Sequence, residues 1–258
     1  MSGGQVVGNN DMSRVVTVLL THQSQQAVDA MRAYWRDLDP KQDFIIAYGG
    51  AEAEWQADVA DLVRVDDPEL RTRDHPRERQ SYHGVFQAVL PRVRALGATH
   101  VHLAEFDEIP VVSDLNDRLL SLMASEDCDV LGHRLFRVDD TTQPHCMDHL
   151  RDAEFLAYWR RISRRKEAGV VLSMLGCGSF WTSQCFAAVA SLQPSMRMYL
   201  ELFLPTAAHH LGYRVRPIAD QDVFMAPELI KSKSDLKILK EQGAWRVHPV
   251  KEMWIQDR

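Results

Sequence analysis

The chain is poor in cysteine, lacks a long apolar run and has no excess of basic charge. Its four cysteines, Cys128, Cys146, Cys177 and Cys185, form no Cys-x-x-Cys pair in 258 residues. That argues against a disulfide framework and fits reduced thiols. The run Val15 to Leu20 is strand-sized and falls well short of the ~20 residues a membrane-spanning helix needs. Thirty basic residues against 36 acidic ones leave a formal net charge of −6, which gives no general attraction to nucleic acid or anionic lipid. With 13 glycines and 11 prolines the chain is not of low complexity. The leading stretch MSGGQVVGNNDMSR has neither a basic start nor an apolar stretch of signal length. No secretory leader is therefore expected, residues 1–14 are expected to be mobile, and a cytoplasmic location follows as an expectation.

What is present is enough apolar sequence, 45%, to bury a core. Short β-type runs alternate with helical stretches. Val15 to Leu20 reads as a strand buried on both faces. Thr21 or Ser24 can cap a following helix carrying Ala27, Val28, Met31, Tyr34 and Trp35. Phe44 to Tyr48 is a second strand closed by Gly49-Gly50, and Leu62 to Val65 a third. Tyr82, Val85, Phe86, Val89, Leu90, Val93 and Leu96 form one helical stripe, with a kink expected at Pro91. Thr99 to Ala104 is a fourth strand. This succession predicts an α/β fold: a mostly parallel central sheet with helices on both faces. The second half is less regular and mixed. Strands are expected within Asp129 to Val138, at Val170 to Met174, at Ser179 to Thr182 and at Tyr213 to Ile218, and a helix from about Met196 to Leu211. No repeat or Gly/Ser linker divides residues 15–258, which are expected to form one domain.

The chemistry concentrates where the fourth strand runs into Glu105-Phe106-Asp107-Glu108-Ile109-Pro110. Pro110 is expected to stop regular extension. In open parallel sheets ligands bind beyond the carboxyl ends of the strands. Glu105 and Asp107, two apart in extended chain, share a side and repel, so they call for a compensating cation. A hard divalent ion bridging ligand phosphates would supply it, whereas the bland reading is a solvated acidic turn.

Here the sequence resembles the nucleotide-sugar-dependent glycosyltransferases of the GT-A fold (family-2-like). Glu105-Phe106-Asp107 stands where those enzymes carry an Asp-x-Asp triplet, with Glu105 departing from the commoner first Asp. The resemblance runs through roughly Val15 to Trp254 and takes in the opening strand, the helix before the triplet, Gly176-Cys177-Gly178-Ser179-Phe180-Trp181 and His248-Pro249-Val250-Lys251. It implies transfer of a sugar from a nucleotide diphosphate donor to a hydroxyl acceptor (a glycan, lipid-linked or small molecule) with Mn²⁺ or Mg²⁺. By the same resemblance Asp107 would coordinate the ion, Glu105 would meet ribose or metal, and His248 would complete the shell. Lys251 would meet the diphosphate.

Thr21, His22, Tyr48 and Gly49 follow the first two strands and are candidates to hold the nucleotide, Tyr48 by stacking on the base. Of Arg71, Arg73, Arg77 and Arg79, Arg79 lies nearest a helix start and suits phosphate. Gly178 and Trp181 would border the sugar, with Trp181 as a stacking surface or else a packed core residue. By the resemblance, Glu201 stands at a point comparable to the general-base carboxylate of inverting members of that family, with Asp220 and Asp222 in reserve.

Rival constellations fit less well. His100 and His102 lack the Asp-His of a metallohydrolase, and His145 and His149 lack the zinc-peptidase pattern. A nucleotidyltransferase usually carries a Gly-rich basic loop after the first strand, whereas Thr21-His22-Gln23-Ser24-Gln25-Gln26 stands there. A catalytically silent nucleotide-sugar-binding protein of the same fold is the remaining alternative.

Overall fold

A computed structural model describes residues 13–50, 55, 59–71, 82–138, 144–163, 169–218 and 233–250. In chain order the elements are β1 (Val15–Thr21), α1 (Gln25–Leu38), β2 (Asp43–Tyr48), β3 (Leu62–Arg64), α2 (Tyr82–Ala95), β4 (His100–Glu105) and β5 (Ile109–Pro110). There follow α3 (Leu115–Ser125), β6 (Val130–Gly132), β7 (Phe136–Arg137), α4 (Pro144–Leu150), α5 (Ala153–Ile162), β8 (Leu172–Ser173) and β9 (Ser179–Thr182). The last are α6 (Ser183–Ala190), α7 (Leu200–His210), β10 (Val215–Pro217), α8 (Lys233–Glu241) and β11 (Arg246–Val247).

Among the described residues, seven strands form one sheet in the order β10-β6-β9-β4-β1-β2-β3. β9 runs antiparallel to both β4 and β6, while β1 is parallel to β2 and to β4. The architecture is the mostly parallel α/β sheet expected from the alternating pattern. Both faces are covered because the strands are apolar on both. Val16, Val18, Ile45, Val101 and Leu103 pack on one side with side chains from α2, α6 and α7. Leu19, Phe44, Ile46 and Ala104 pack on the other with α1 and α3. Fully burying such a side chain stabilises by about 1.5–3 kcal/mol, so these layers fix the sheet.

Ser24 caps α1 as expected, its Oγ accepting from the Ala27 N–H at 3.4 Å. α2 continues through Pro91 to Ala95. α7 begins at Leu200, later than the sequence suggests, because Tyr199 holds a non-helical backbone before it. Pro110 does not end extension. It lies in β5, which pairs antiparallel with β11 at the edge of a separate two-stranded ribbon, where a proline needs no second partner. That ribbon brings residues 246–248 from far along the chain to the acidic segment after β4. Arg14, expected in a mobile leading segment, is anchored instead: its N–H donates to Thr99 Oγ1 at 2.9 Å and its Nε to Asp43 Oδ2 at 2.9 Å. Among the described residues no helix is long and apolar enough to cross a membrane.

Candidate functional site

Register places the site. Leu20 pairs with Ala47 on one side and Glu105 on the other, so β1, β2 and β4 end together at one sheet edge. Their ends line a cleft of about 330 Å³ with Thr21, His22, Gly49, Glu105, Asp107 and Val250 in its wall. The Val250 N–H donates to the Asp107 carbonyl at 2.9 Å, which fastens the C-terminal segment against the acidic turn.

His248 is the centre of the charged cluster. Its Nδ1 lies 3.2 Å from Asp107 Oδ1 and its Nε2 lies 3.7 Å from Glu105 Oε2. Burial alone would pull the His248 pKa down, but the Asp107 contact and the charges of Asp107 and Glu105 outweigh it and hold it above the ordinary value. Glu105 moves the other way for a carboxylate: burial pushes its pKa up to about 7, with Asp107 and Glu108 adding repulsion and His248 opposing. Both shifts favour the protonated forms, as expected where carboxylates crowd together without a metal cation. Ligand atoms of Glu105, His248 and the buried Cys177 all lie within 4.8 Å of one another. The oxygen and imidazole donors fit a divalent ion such as Mn²⁺. The Cys177 thiol, held protonated by burial and by the surrounding carboxylates, is a softer donor beside them.

The third carboxylate, Glu108, turns away from the cleft and is fully buried. Arg246, also fully buried, donates from Nη1 to Glu108 Oε1 at 3.0 Å and from Nη2 to the Gly178 carbonyl at 2.5 Å. Its Nη1 lies 2.6 Å from His102 Nε2, and its Nη2 lies 2.8 Å from His133 Nε2. Burial would raise the Glu108 pKa, but Arg246 and His102 overcome it and keep the carboxylate ionised below its usual range. Burial and then the Arg246 charge drive His133 well down, so it is neutral. One guanidinium therefore ties together the acidic turn, the 177–178 turn and the segment leading to His248. Two glycines make this possible: a Cβ on Gly176 would lie 1.8 Å from Leu200 Cδ1, and Gly178 has φ of +67°.

The structure brings Thr21, His22, Gly49, Glu105, Asp107 and His248 together. Thr21 Oγ1 accepts from the Gln23 N–H at 3.0 Å, shaping the turn after β1. Two expectations are corrected. Tyr48 is 1% exposed and its ring packs at 5.2 Å on Trp55, on the sheet face away from the cleft side of β2, so it offers no surface to a base. Trp181 is 1% exposed, packs on Phe186 and donates its indole N–H to Ser179 Oγ at 2.8 Å, so it is core and stacks no sugar. Gly178 serves through its carbonyl on Arg246. Glu201 sits half-buried in the first turn of α7, close enough for its charge to act on Glu105 and Cys177. Asp220, Asp222, Arg79 and Lys251 lie outside the described residues.

Sequence reasoning missed Arg246, Cys177 and the partnership of His102 with Glu108. The available signal was polar residues at strand positions that burial would require to be paired.

No protein-family model matches the chain, and no curated protein matches it. It is similar to solved structures at low identity. A glycosyltransferase involved in glycosylation of the major capsid of PBCV-1 is 7% identical over 95% of this chain and 97% of that one, with a TM-score of 0.46. Bifunctional IspDF from Campylobacter jejuni is 9% identical over 81% of this chain, with a TM-score of 0.42, and the chain spans half the length of that protein. Core-mannan synthase A from Aspergillus fumigatus, in a Mn/GDP form, is 11% identical over 81% of this chain and 74% of that one, with a TM-score of 0.40.

Proposed function

We propose that the chain is a glycosyltransferase that moves a sugar from a nucleotide diphosphate donor to a hydroxyl acceptor with help from a divalent ion. One observation carries this: Glu105 and Asp107, at and just beyond the carboxyl end of the central strand β4, stand in the wall of a cleft bounded by the ends of β1 and β2, with His248 against both carboxylates. The nucleotide lies along Thr21, His22 and Gly49, where backbone can approach a ligand. Glu105 and His248, with Asp107 beside them, are the residues that would hold the ion. When bound, the ion offsets the negative charge that develops on the departing diphosphate. Glu201, in the first turn of a helix whose N-terminus favours a carboxylate and near enough for its charge to act on Glu105, would take the proton of the incoming hydroxyl. Arg246 stays out of contact with ligand and keeps the three segments in register.

The test is incubation with a panel of sugar nucleotides and Mn²⁺, reading release of the nucleoside diphosphate. Asp107→Asn is expected to fold normally and to lose on the order of 10–100-fold in ion affinity and donor turnover. Full turnover in that variant would remove the assignment. Pyrophosphate released from a nucleoside triphosphate would instead support a nucleotidyltransferase, and binding without turnover a silent binding protein.

A further inference from the structure

The ring nitrogens of His248 face different partners, and that division bears on which ion the site accepts. Nδ1 meets Asp107, while Nε2 faces Glu105. A histidine that donates one N–H to a carboxylate presents its other nitrogen as a metal ligand in a fixed orientation. Cys177 completes a triangle with Glu105 and His248 whose ligand atoms lie within 4.8 Å of one another. Donors at about 2.0–2.3 Å from a tetrahedrally bound ion lie roughly 3.3–3.7 Å apart, so closing the triangle takes shifts of about 1 Å. The contact from His248 Nε2 to Glu105 Oε2 is already 3.7 Å.

Resting on the ion-assisted reading above, the geometry points to Cys177 as a direct ligand beside Glu105 and His248 Nε2, with Asp107 orienting the imidazole, in a site that prefers borderline-soft ions such as Zn²⁺ or Co²⁺ to Mg²⁺. The thiol proton leaves to water as the sulfur–metal bond forms, with no change of oxidation state. The backbone supports this placement, because the turn carrying Cys177 is fixed by Arg246 on the Gly178 carbonyl and by Ser179 Oγ–H donating to the Gly176 carbonyl at 2.9 Å. A thiolate is a poor ligand for Mg²⁺ and a good one for Zn²⁺, which gives the preference its physical basis.

Titration of the full chain with Co²⁺ tests it through the ultraviolet thiolate-to-cobalt charge-transfer band, followed by displacement with Zn²⁺ and with Mg²⁺. A saturable band is expected in the wild type, erased by Zn²⁺ at near-stoichiometric amounts and by Mg²⁺ only in large excess. Cys177→Ser and Cys177→Ala are both expected to lose the band, while Cys128→Ser keeps it. Co²⁺ binding with no thiolate band, or a band that survives both Cys177 variants, would overturn the Cys177 assignment and leave ion-assisted transfer standing. Failure to bind Co²⁺, Zn²⁺ or Mn²⁺ at all, with or without a nucleoside diphosphate, would overturn both.

Discussion

Replacing Arg246 with methionine leaves the Glu108 carboxylate fully buried with its main counter-charge gone. It also strips donors from the Gly178 carbonyl and the neutral His133. Removing one partner of a buried ion pair costs about 3–5 kcal/mol, a large part of the 5–15 kcal/mol that ordinarily holds a domain together. At about 2–4 °C per kcal/mol for a chain of this size, the melting temperature should fall by about 6–20 °C. Differential scanning calorimetry at neutral pH reads this directly. The double variant Arg246→Met with Glu108→Leu removes the stranded charge and should recover a substantial part of the loss, because an apolar pair of similar volume is often no worse than a buried ion pair. The lost donors to Gly178 and His133 keep the recovery incomplete. A single variant that costs under about 1 kcal/mol, or a double variant whose losses merely add, would refute the view that Arg246 acts as a charge clamp.

Acid should unfold the protein through its buried histidines. Burial lowers the folded pKa values of His83, His102 and His133, so the stability they contribute is complete above the ordinary value of about 6.5 and is lost as pH falls below it; Glu108, held low by Arg246 and His102, adds loss further down. A melting temperature that stays flat on acidification would contradict this. Glu105 works in the opposite sense. Its folded pKa is raised from 4.5 to about 7, so the metal-free fold loses stability as pH rises through that window. Glu105→Gln should therefore melt higher than wild type above pH 7 without metal and show no advantage below pH 4.5. Equal melting curves at both ends would show that the carboxylate carries no burial penalty.

The sheet was legible because its strands announce themselves. Val15 to Leu20 and Phe44 to Tyr48 are apolar on both faces, and the stripe from Tyr82 to Val93 has one helical period. The acidic end of β4 was legible because charge abruptly follows an apolar strand and a strand end is where ligands bind. What was not legible depends on contacts across long sequence separations. Arg246 and Glu108 are 138 residues apart and meet only because β11 pairs with β5. Nothing local distinguishes a clamping arginine from a surface one. The same limit explains Tyr48 and Trp181: an aromatic at a strand end faces either ligand or core, and which one follows from the neighbouring layers, here Trp55 for Tyr48 and Phe186 for Trp181. It also explains Glu108, indistinguishable in sequence from Glu105 and Asp107 until the ribbon turns it inward.

The most direct measurement is calorimetric titration of the protein with uridine and guanosine diphosphates, in Mn²⁺ and again in chelator. Saturable binding of at least one nucleotide in Mn²⁺, lost in chelator and weakened in His248→Ala, is the predicted result. Equal affinity in chelator, or no binding of either nucleotide with the ion present, would contradict an ion-bridged donor site at the end of β4.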